Sequence, residues 1–150
     1  KIEKSNIRKI NSSIFNFNPI PDLFFALKSN WYEDQKVIST LSKYFVRSKS
    51  EMNIANILQL NKIPFSYEVP KFAKDGSMYL PDFTIRWKGE EYFWEHVGRL
   101  DLLEYKNHWE TKQKWYEKHF PGQLIATYEG TDQTKQIQQI LKVKFNIEIS

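Results

Sequence analysis

The chain contains no cysteine among its 150 residues, which excludes disulfides, thiolate metal sites and cysteine nucleophiles. It also lacks any run of 18 or more apolar residues, so the sequence predicts no membrane span, and no secretory signal is visible. These absences favour a cytoplasmic protein without a membrane partner. Because the chain opens on Lys1 rather than Met, we expect it to be a domain of a longer protein.

The excess of positive charge is small, since 22 Lys and Arg against 18 Asp and Glu give a formal net charge of +4. Such a charge is compatible with binding a polyanion but does not require it. Aromatic residues make up 16% of the chain. Most aromatic side chains fill a core, and some stack on nucleobases. A chain of this length is one domain's worth and can bury a core.

Hydrophobic periodicity predicts a helix, three strands, a helix, a strand and a final helix. The helices are expected at 48–61, 101–119 and 132–143, and the strands at 65–70, 79–87, 91–97 and 123–128. Apolar residues at helical spacing also predict one or two helices within 22–45. We therefore expect an α/β fold whose mixed sheet is flanked by helices, with an N-terminal helical extension (1–46) packed on a core domain (47–150).

Two acidic residues fall on neighbouring predicted strands in the segment 80–96, LPDFTIRWKGEEYFWEH. If Lys88-Gly89 forms a two-residue turn, Asp82 faces Glu95 across the hairpin. Directly opposed Cβ atoms lie about 4.5–5.5 Å apart, and the surrounding residues are largely apolar. Two carboxylates this close in apolar surroundings repel each other, so they must be protonated, pair with cations or bind a metal ion. Mg²⁺ and Mn²⁺ suit such a site because they prefer oxygen ligands. The alternative is that Glu95 pairs with a Lys or Arg and Asp82 merely starts a strand.

A third acid, Glu51, shares the inward face of the first predicted helix with Ala55 and Leu58. We interpret it as a third metal ligand. The alternative is a capping box, because Ser48 is the predicted N-cap and Glu51 stands three residues later. The two roles differ in position, since a capping glutamate sits at the exposed helix end and a ligand lies over the sheet.

The motifs RSKSE on a helix, YLPDFTI, YFWEHVG and a following helix with Tyr, Trp and Lys resemble the PD-(D/E)XK nuclease superfamily. They are similar in particular to the branch found as a terminal domain of helicases and in restriction or defence proteins. The resemblance covers about residues 47–128. It implies a restriction-endonuclease-like αβββαβ core and Mg²⁺- or Mn²⁺-dependent hydrolysis of phosphodiester bonds, with DNA and other domains of a parent protein, such as a helicase, as partners. It also implies that Glu51, Asp82, Glu95 and the backbone carbonyl of His96 ligate the metal.

The chain departs from the family pattern where the E-x-K lysine is expected, because Val97 stands there. Valine can neither orient a water molecule nor neutralise charge. We predict that Lys112 replaces the lysine, since it lies on the inward stripe of its helix with Tyr105, Trp109 and Tyr116. The alternative is that Lys112 lays its stem along aromatic rings and keeps its amine in solvent.

Further residues are predicted to contact nucleic acid. Arg47 and Lys49 flank the expected cleft and are candidates for phosphate contacts, although a solvated charge is the common alternative. Tyr105 and Trp109 are candidates for nucleobase contacts, with core packing as their alternative. Strand alternation directs the His96 side chain to the face opposite Glu95.

Three functions remain open on this sequence. The first is a metal-dependent deoxyribonuclease in a helicase, repair or defence protein. The second is a catalytically inactive nuclease-like module that binds DNA, which the missing lysine favours. The third is a structural or protein-interaction domain whose aromatic residues form an interface.

Overall fold

The computed structural model describes residues 38–40, 45–46, 48–130 and 132–149. Its elements in chain order are β1 (Ile38–Ser39), β2 (Phe45–Val46), α1 (Lys49–Leu60), β3 (Phe65–Tyr67), β4 (Lys71–Phe72), β5 (Met78–Tyr79), β6 (Phe83–Trp87), β7 (Glu90–Val97), α2 (Leu103–His119), β8 (Leu124–Tyr128) and α3 (Gln133–Phe145). None of the described helices combines the length and the apolar character that a membrane crossing needs.

A four-stranded mixed sheet in the order β3-β6-β7-β8 organises the fold. β3, β6 and β7 pair antiparallel, whereas β7 and β8 pair parallel. Parallel neighbours need a crossover connection, and α2 provides it. The predicted α/β fold with a mixed sheet and flanking helices is thus confirmed, while a restriction-endonuclease-like core stays a prediction.

The two faces of the sheet are covered by different helices. On one face, Trp94 belongs to the buried cluster that includes Ile54 of α1 and Leu141 of α3. On the other face, the Phe93 ring stacks on Tyr116 of α2 at 5.7 Å between centroids. Because side chains alternate along a strand, even-numbered residues of β7 face α1 and α3, and odd-numbered residues face α2.

The turn between β6 and β7 sets the register of the central hairpin. Lys88 and Gly89 both have positive φ, 50° and 81°, as a type I′ turn requires. Trp87 then pairs with Glu90, and the register continues to Phe83 opposite Trp94. The predicted pairing is confirmed, and one further step places residue 82 opposite residue 95.

Replacing Gly89 with alanine is expected to lower the free energy of unfolding by about 1–2 kcal/mol. An added Cβ would meet no atom within 4 Å, so the cost comes from the left-handed backbone alone. Urea unfolding measures the change, and Gly98→Ala is the matched control. Gly98 has open space around its Cβ position and no positive φ, so its variant should be unchanged or slightly more stable. Equal losses in both variants would contradict the turn assignment.

The prediction of a single strand over 79–87 is wrong, because one strand ends at Tyr79 and the next, β6, begins only at Phe83. Pro81 lies in the break and has no N–H to donate to a strand ladder. The first part, β5, instead pairs with β4 in a separate two-stranded sheet.

The helical prediction over 22–45 is wrong where the structure describes it, since Ile38–Ser39 and Phe45–Val46 form an antiparallel strand pair. Apolar runs this short are compatible with both the helical and the strand spacing of apolar residues. β-branched and aromatic residues then favour strands. The Val46 side chain is fully buried in the core cluster with α1. The rest of this segment lies outside the described residues.

Candidate active site

A cleft of about 440 Å³ opens at the end of the sheet where β6 begins and β7 ends. Residues from α1, β7, α2 and the ends of β6 and β8 line it: Ser48, Lys49, Ser50, Glu51, Asp82, His96, Gly98, Arg99, Tyr105 and Glu129. Five residues predicted for the site therefore share one cleft, namely Lys49, Glu51, Asp82, His96 and Tyr105.

Asp82 occupies the bend directly before β6, where Pro81 has ended the preceding strand. Its Oδ2 accepts the backbone N–H of His96 at 2.7 Å, and its backbone carbonyl accepts the N–H of Glu68 at 3.0 Å. The half-buried carboxylate is thus oriented by the neighbouring strand β7 at the mouth of the cleft.

Glu51 lies in the first turn of α1 and is only 8% exposed. Its backbone N–H donates to Ser48 Oγ at 3.1 Å, and Ser48 Oγ donates to Glu51 Oε1 at 3.3 Å. Glu51 Oε2 accepts the hydroxyl of Tyr67, in β3, at 3.1 Å. The residue therefore sits at the capped helix end and over the sheet at once, so the two positions expected for the alternative roles coincide.

Glu95 faces α2 and is 4% exposed. Its Oε2 accepts the Tyr116 hydroxyl at 2.8 Å, and Lys112 Nζ donates to Oε1 at 3.4 Å. The Lys112 side chain is 16% exposed, and Nζ lies 5.5 Å from the centroid of the Tyr79 ring. The lysine amine is therefore turned inward onto Glu95 rather than into solvent. This pair satisfies both the relocated-lysine hypothesis and the simpler alternative of an ion-paired glutamate.

Tyr105 lines the cleft with Asp82 and also interacts electrostatically with Glu95 and Lys112. Its Oη accepts the backbone N–H of Gly98 at 3.2 Å. Burial raises the pKa of the Tyr105 hydroxyl above its ordinary value of 10.0, and the Asp82 and Glu95 carboxylates raise it further, while the Gly98 N–H and the Lys112 ammonium lower it. Asp82, Glu95 and Lys112 thus all act on one hydroxyl, which stays protonated at neutral pH.

The His96 side chain points away from Glu95, as strand alternation predicts, but it still reaches the cleft. Its Nε2 lies 2.6 Å from Glu129 Oε2 and its Nδ1 2.8 Å from Thr127 Oγ1. The hydrogen bond from His96 holds the pKa of Glu129 below its ordinary value of 4.5, and a bond from Ser50 acts in the same direction. Sequence reasoning missed Glu129, because no motif marks the residue after β8.

The other residues predicted to contact nucleic acid do not all lie in the cleft. Lys49 is exposed on the rim of the cleft. Trp109 is buried and meets the Tyr128 ring edge-on at 6.5 Å, which favours its core-packing alternative. Arg47 lies outside the described residues. Arg99, which sequence reasoning did not select, lines the cleft and pairs with Asp101 at 3.1 Å.

Glu51 and Asp82 offer carboxylate oxygens to the cleft, the ligand type that hard divalent cations prefer. Glu95, the third predicted ligand, is instead hydrogen-bonded to Lys112 and Tyr116 of α2. Within the part of the chain that the structure describes, no three His, Asp or Glu side chains are grouped so that they could hold a metal ion. Glu51 and Asp82 both line the cleft, and the two oxygens of Glu95 are hydrogen-bonded to α2.

Comparisons with protein-family models, with curated proteins and with solved structures find nothing that matches this chain.

Proposed function

We propose that this chain is a divalent-metal-dependent nuclease domain that hydrolyses phosphodiester bonds in DNA and belongs to a larger helicase, repair or defence protein. The observation that carries the proposal is the approach of Lys112 to Glu95 at 3.4 Å. It supplies, from α2, the ammonium group that Val97 does not supply from β7. A buried ion pair contributes little net stability over apolar residues of equal volume, so a chemical role accounts for this pair better.

Glu51, Asp82 and Glu95, with the backbone carbonyl of His96, would hold the Mg²⁺ or Mn²⁺ ion. A cation bound to such ligands lowers the pKa of a coordinated water and offsets charge in the transition state. Glu95 would have to exchange a contact with Lys112 or Tyr116 to take part.

Lys112 and Tyr105 are the residues that would act on the reacting phosphate. The Lys112 ammonium places positive charge beside Glu95, and Lys side chains serve as point charges for phosphate. The Tyr105 Oη already accepts the Gly98 N–H, so its own proton is directed elsewhere and can be donated to a phosphate oxygen. A preformed donor of this kind stabilises charge that develops during hydrolysis.

The charges that line the cleft make binding of a polyanion depend on a cation. Glu51, Asp82 and Glu129 contribute three carboxylates, whereas Lys49 and Arg99 contribute two basic side chains. Without a bound ion this lining repels a phosphodiester. A divalent cation reverses the balance, which supports metal-dependent rather than metal-free recognition of DNA.

A catalytically inactive DNA-binding module is the second candidate. The observation that favours it is Glu95, whose two oxygens are both engaged by α2 residues, Lys112 and Tyr116. If these contacts keep Glu95 turned toward α2, a cation held by Glu51 and Asp82 alone would let the cleft bind DNA without cutting it.

Incubating the 150-residue chain with supercoiled and linear DNA, in Mg²⁺, Mn²⁺ or EDTA, tests the proposal, with DNA binding followed in parallel by fluorescence polarisation. We expect cleavage with either metal and none with EDTA. Binding in any buffer without cleavage would establish the inactive module instead. Neither binding nor cleavage would point to a structural or protein-interaction domain.

A further inference from the structure

Three hydrogen bonds join the elements that carry the cleft carboxylates Glu51 and Asp82. Ser50, beside Glu51 in α1, donates through Oγ to Glu129 Oε2 at 3.0 Å. His96 Nε2 meets the same oxygen at 2.6 Å, and the His96 backbone N–H donates to Asp82 Oδ2 at 2.7 Å. Ser50, Glu129, His96 and Asp82 thus form a continuous polar connection, here named the His96 clamp.

The ring of His96 is held in one orientation. An ionised carboxylate only accepts hydrogen bonds, so Nε2 must carry a proton and donate it to Glu129. At the other side of the ring, Nδ1 meets Thr127 Oγ1, which also accepts the Trp94 Nε1–H at 3.2 Å. The side chain is 7% exposed. Both ring nitrogens are occupied, so His96 has no nitrogen left for a substrate.

We propose that His96 is a positioning residue that fixes Glu51 relative to Asp82 through the His96 clamp. This inference rests on the proposed function, because the two carboxylates matter together only as ligands of one cation. Its backbone orients Asp82, and its side chain holds, through Glu129, the helix turn that carries Glu51. Catalytic groups tolerate misplacement of only about 0.5 Å, so the His96 clamp would serve the site by holding the two carboxylates in place.

A purely structural role, attachment of α1 to the sheet, is already filled by other contacts. Gln133 of α3 donates through Nε2 to the Ser50 carbonyl at 3.0 Å, and its Oε1 accepts from Asn53 at 3.2 Å. Ile54 and Leu58 are fully buried in the core. Because α1 stays attached without the His96 side chain, we expect its loss to loosen the first turn and leave the fold intact.

Amide hydrogen exchange in metal-free buffer tests the clamp first. In His96→Ala and Glu129→Ala, the amides of Glu51 and Met52 should exchange about fivefold to tenfold faster, the effect of losing one hydrogen bond. Amides of the α1 interior should be unchanged. His96→Gln, which keeps an N–H donor at this position, should restore most of the protection. Unchanged exchange at Glu51 and Met52 in both clamp variants would overturn the proposal.

Calorimetric titration with Mn²⁺ then tests whether the clamp serves the cleft carboxylates. His96→Ala should weaken binding about 10- to 100-fold, as is usual when the residues that orient metal ligands are changed, and His96→Gln should fall between it and the unaltered chain. His119→Ala is the matched control, since His119 pairs with Asp75 at 3.4 Å near the other end of α2. Faster exchange with unaltered Mn²⁺ affinity would overturn the positioning role. If the unaltered chain binds no Mn²⁺, the proposed function fails, and the exchange result alone decides whether His96 fixes Glu51.

Discussion

Replacing Asp82 with asparagine is expected to reduce metal-dependent DNA cleavage by about 10³-fold, because several kcal/mol of charge stabilisation in the transition state is removed. Asparagine keeps the shape of the side chain and an oxygen that can accept the His96 N–H, which Asp82 accepts at 2.7 Å. The residue is half-buried in a bend and outside the core cluster. The fold should therefore survive, so that lost activity reports on chemistry.

The matched control for this change is Asp75→Asn. Asp75 lies in the turn between β4 and β5, and its Oδ1 accepts the backbone N–H of Ser77 at 2.9 Å. Single-turnover cleavage rates and urea unfolding of both variants provide the measurements. Full cleavage activity in Asp82→Asn, or an equal loss in Asp75→Asn, would remove Asp82 from the site.

Replacing Lys112 with methionine is expected to affect cleavage and stability together. Cleavage should fall about 10²-fold or more because the ammonium beside Glu95 is lost. The free energy of unfolding should fall by about 1–3 kcal/mol, since the buried Glu95 carboxylate keeps the Tyr116 hydroxyl but loses its cation. Lys114→Met, an exposed site on the same helix, should change neither quantity when DNA is saturating.

The double variant Glu95→Gln with Lys112→Met separates the two effects. Removing the negative charge together with its partner should recover much of the lost stability, because no uncompensated buried charge remains. Cleavage should stay lost. If cleavage survives in Lys112→Met alone, the relocated-lysine hypothesis is wrong, and the Lys112–Glu95 pair is a structural ion pair.

Parts of the fold that depend on neighbouring residues were predictable. The N-cap at Ser48 accepts the Glu51 N–H as the capping-box spacing indicates. The turn at Lys88-Gly89 sets the hairpin register because two-residue turns admit few geometries. The β4–β5 hairpin was not predicted, since each of its strands has only two residues and shows no readable periodicity.

The arrangement of the three carboxylates was predictable only in part. The inward faces of Glu51 and Lys112 follow from helical spacing, and both residues are turned inward. That Glu51 approaches from the α1 face and Glu95 from the α2 face depends on which helix covers which face of the sheet. The sequence pattern carries no information about that choice.

The opposition of residues 82 and 95 and the inward stripe of α2 can be read from the amino-acid order, because both follow from local backbone geometry and side-chain period. The contact of Lys112 with Glu95, and the connection among His96, Glu129 and Ser50, depend instead on tertiary packing. Ser50 and Glu129 are 79 positions apart, and His96 and Glu129 are 33 apart. Contacts over such separations arise from the packing of helices and strands against one another, so no local pattern records them.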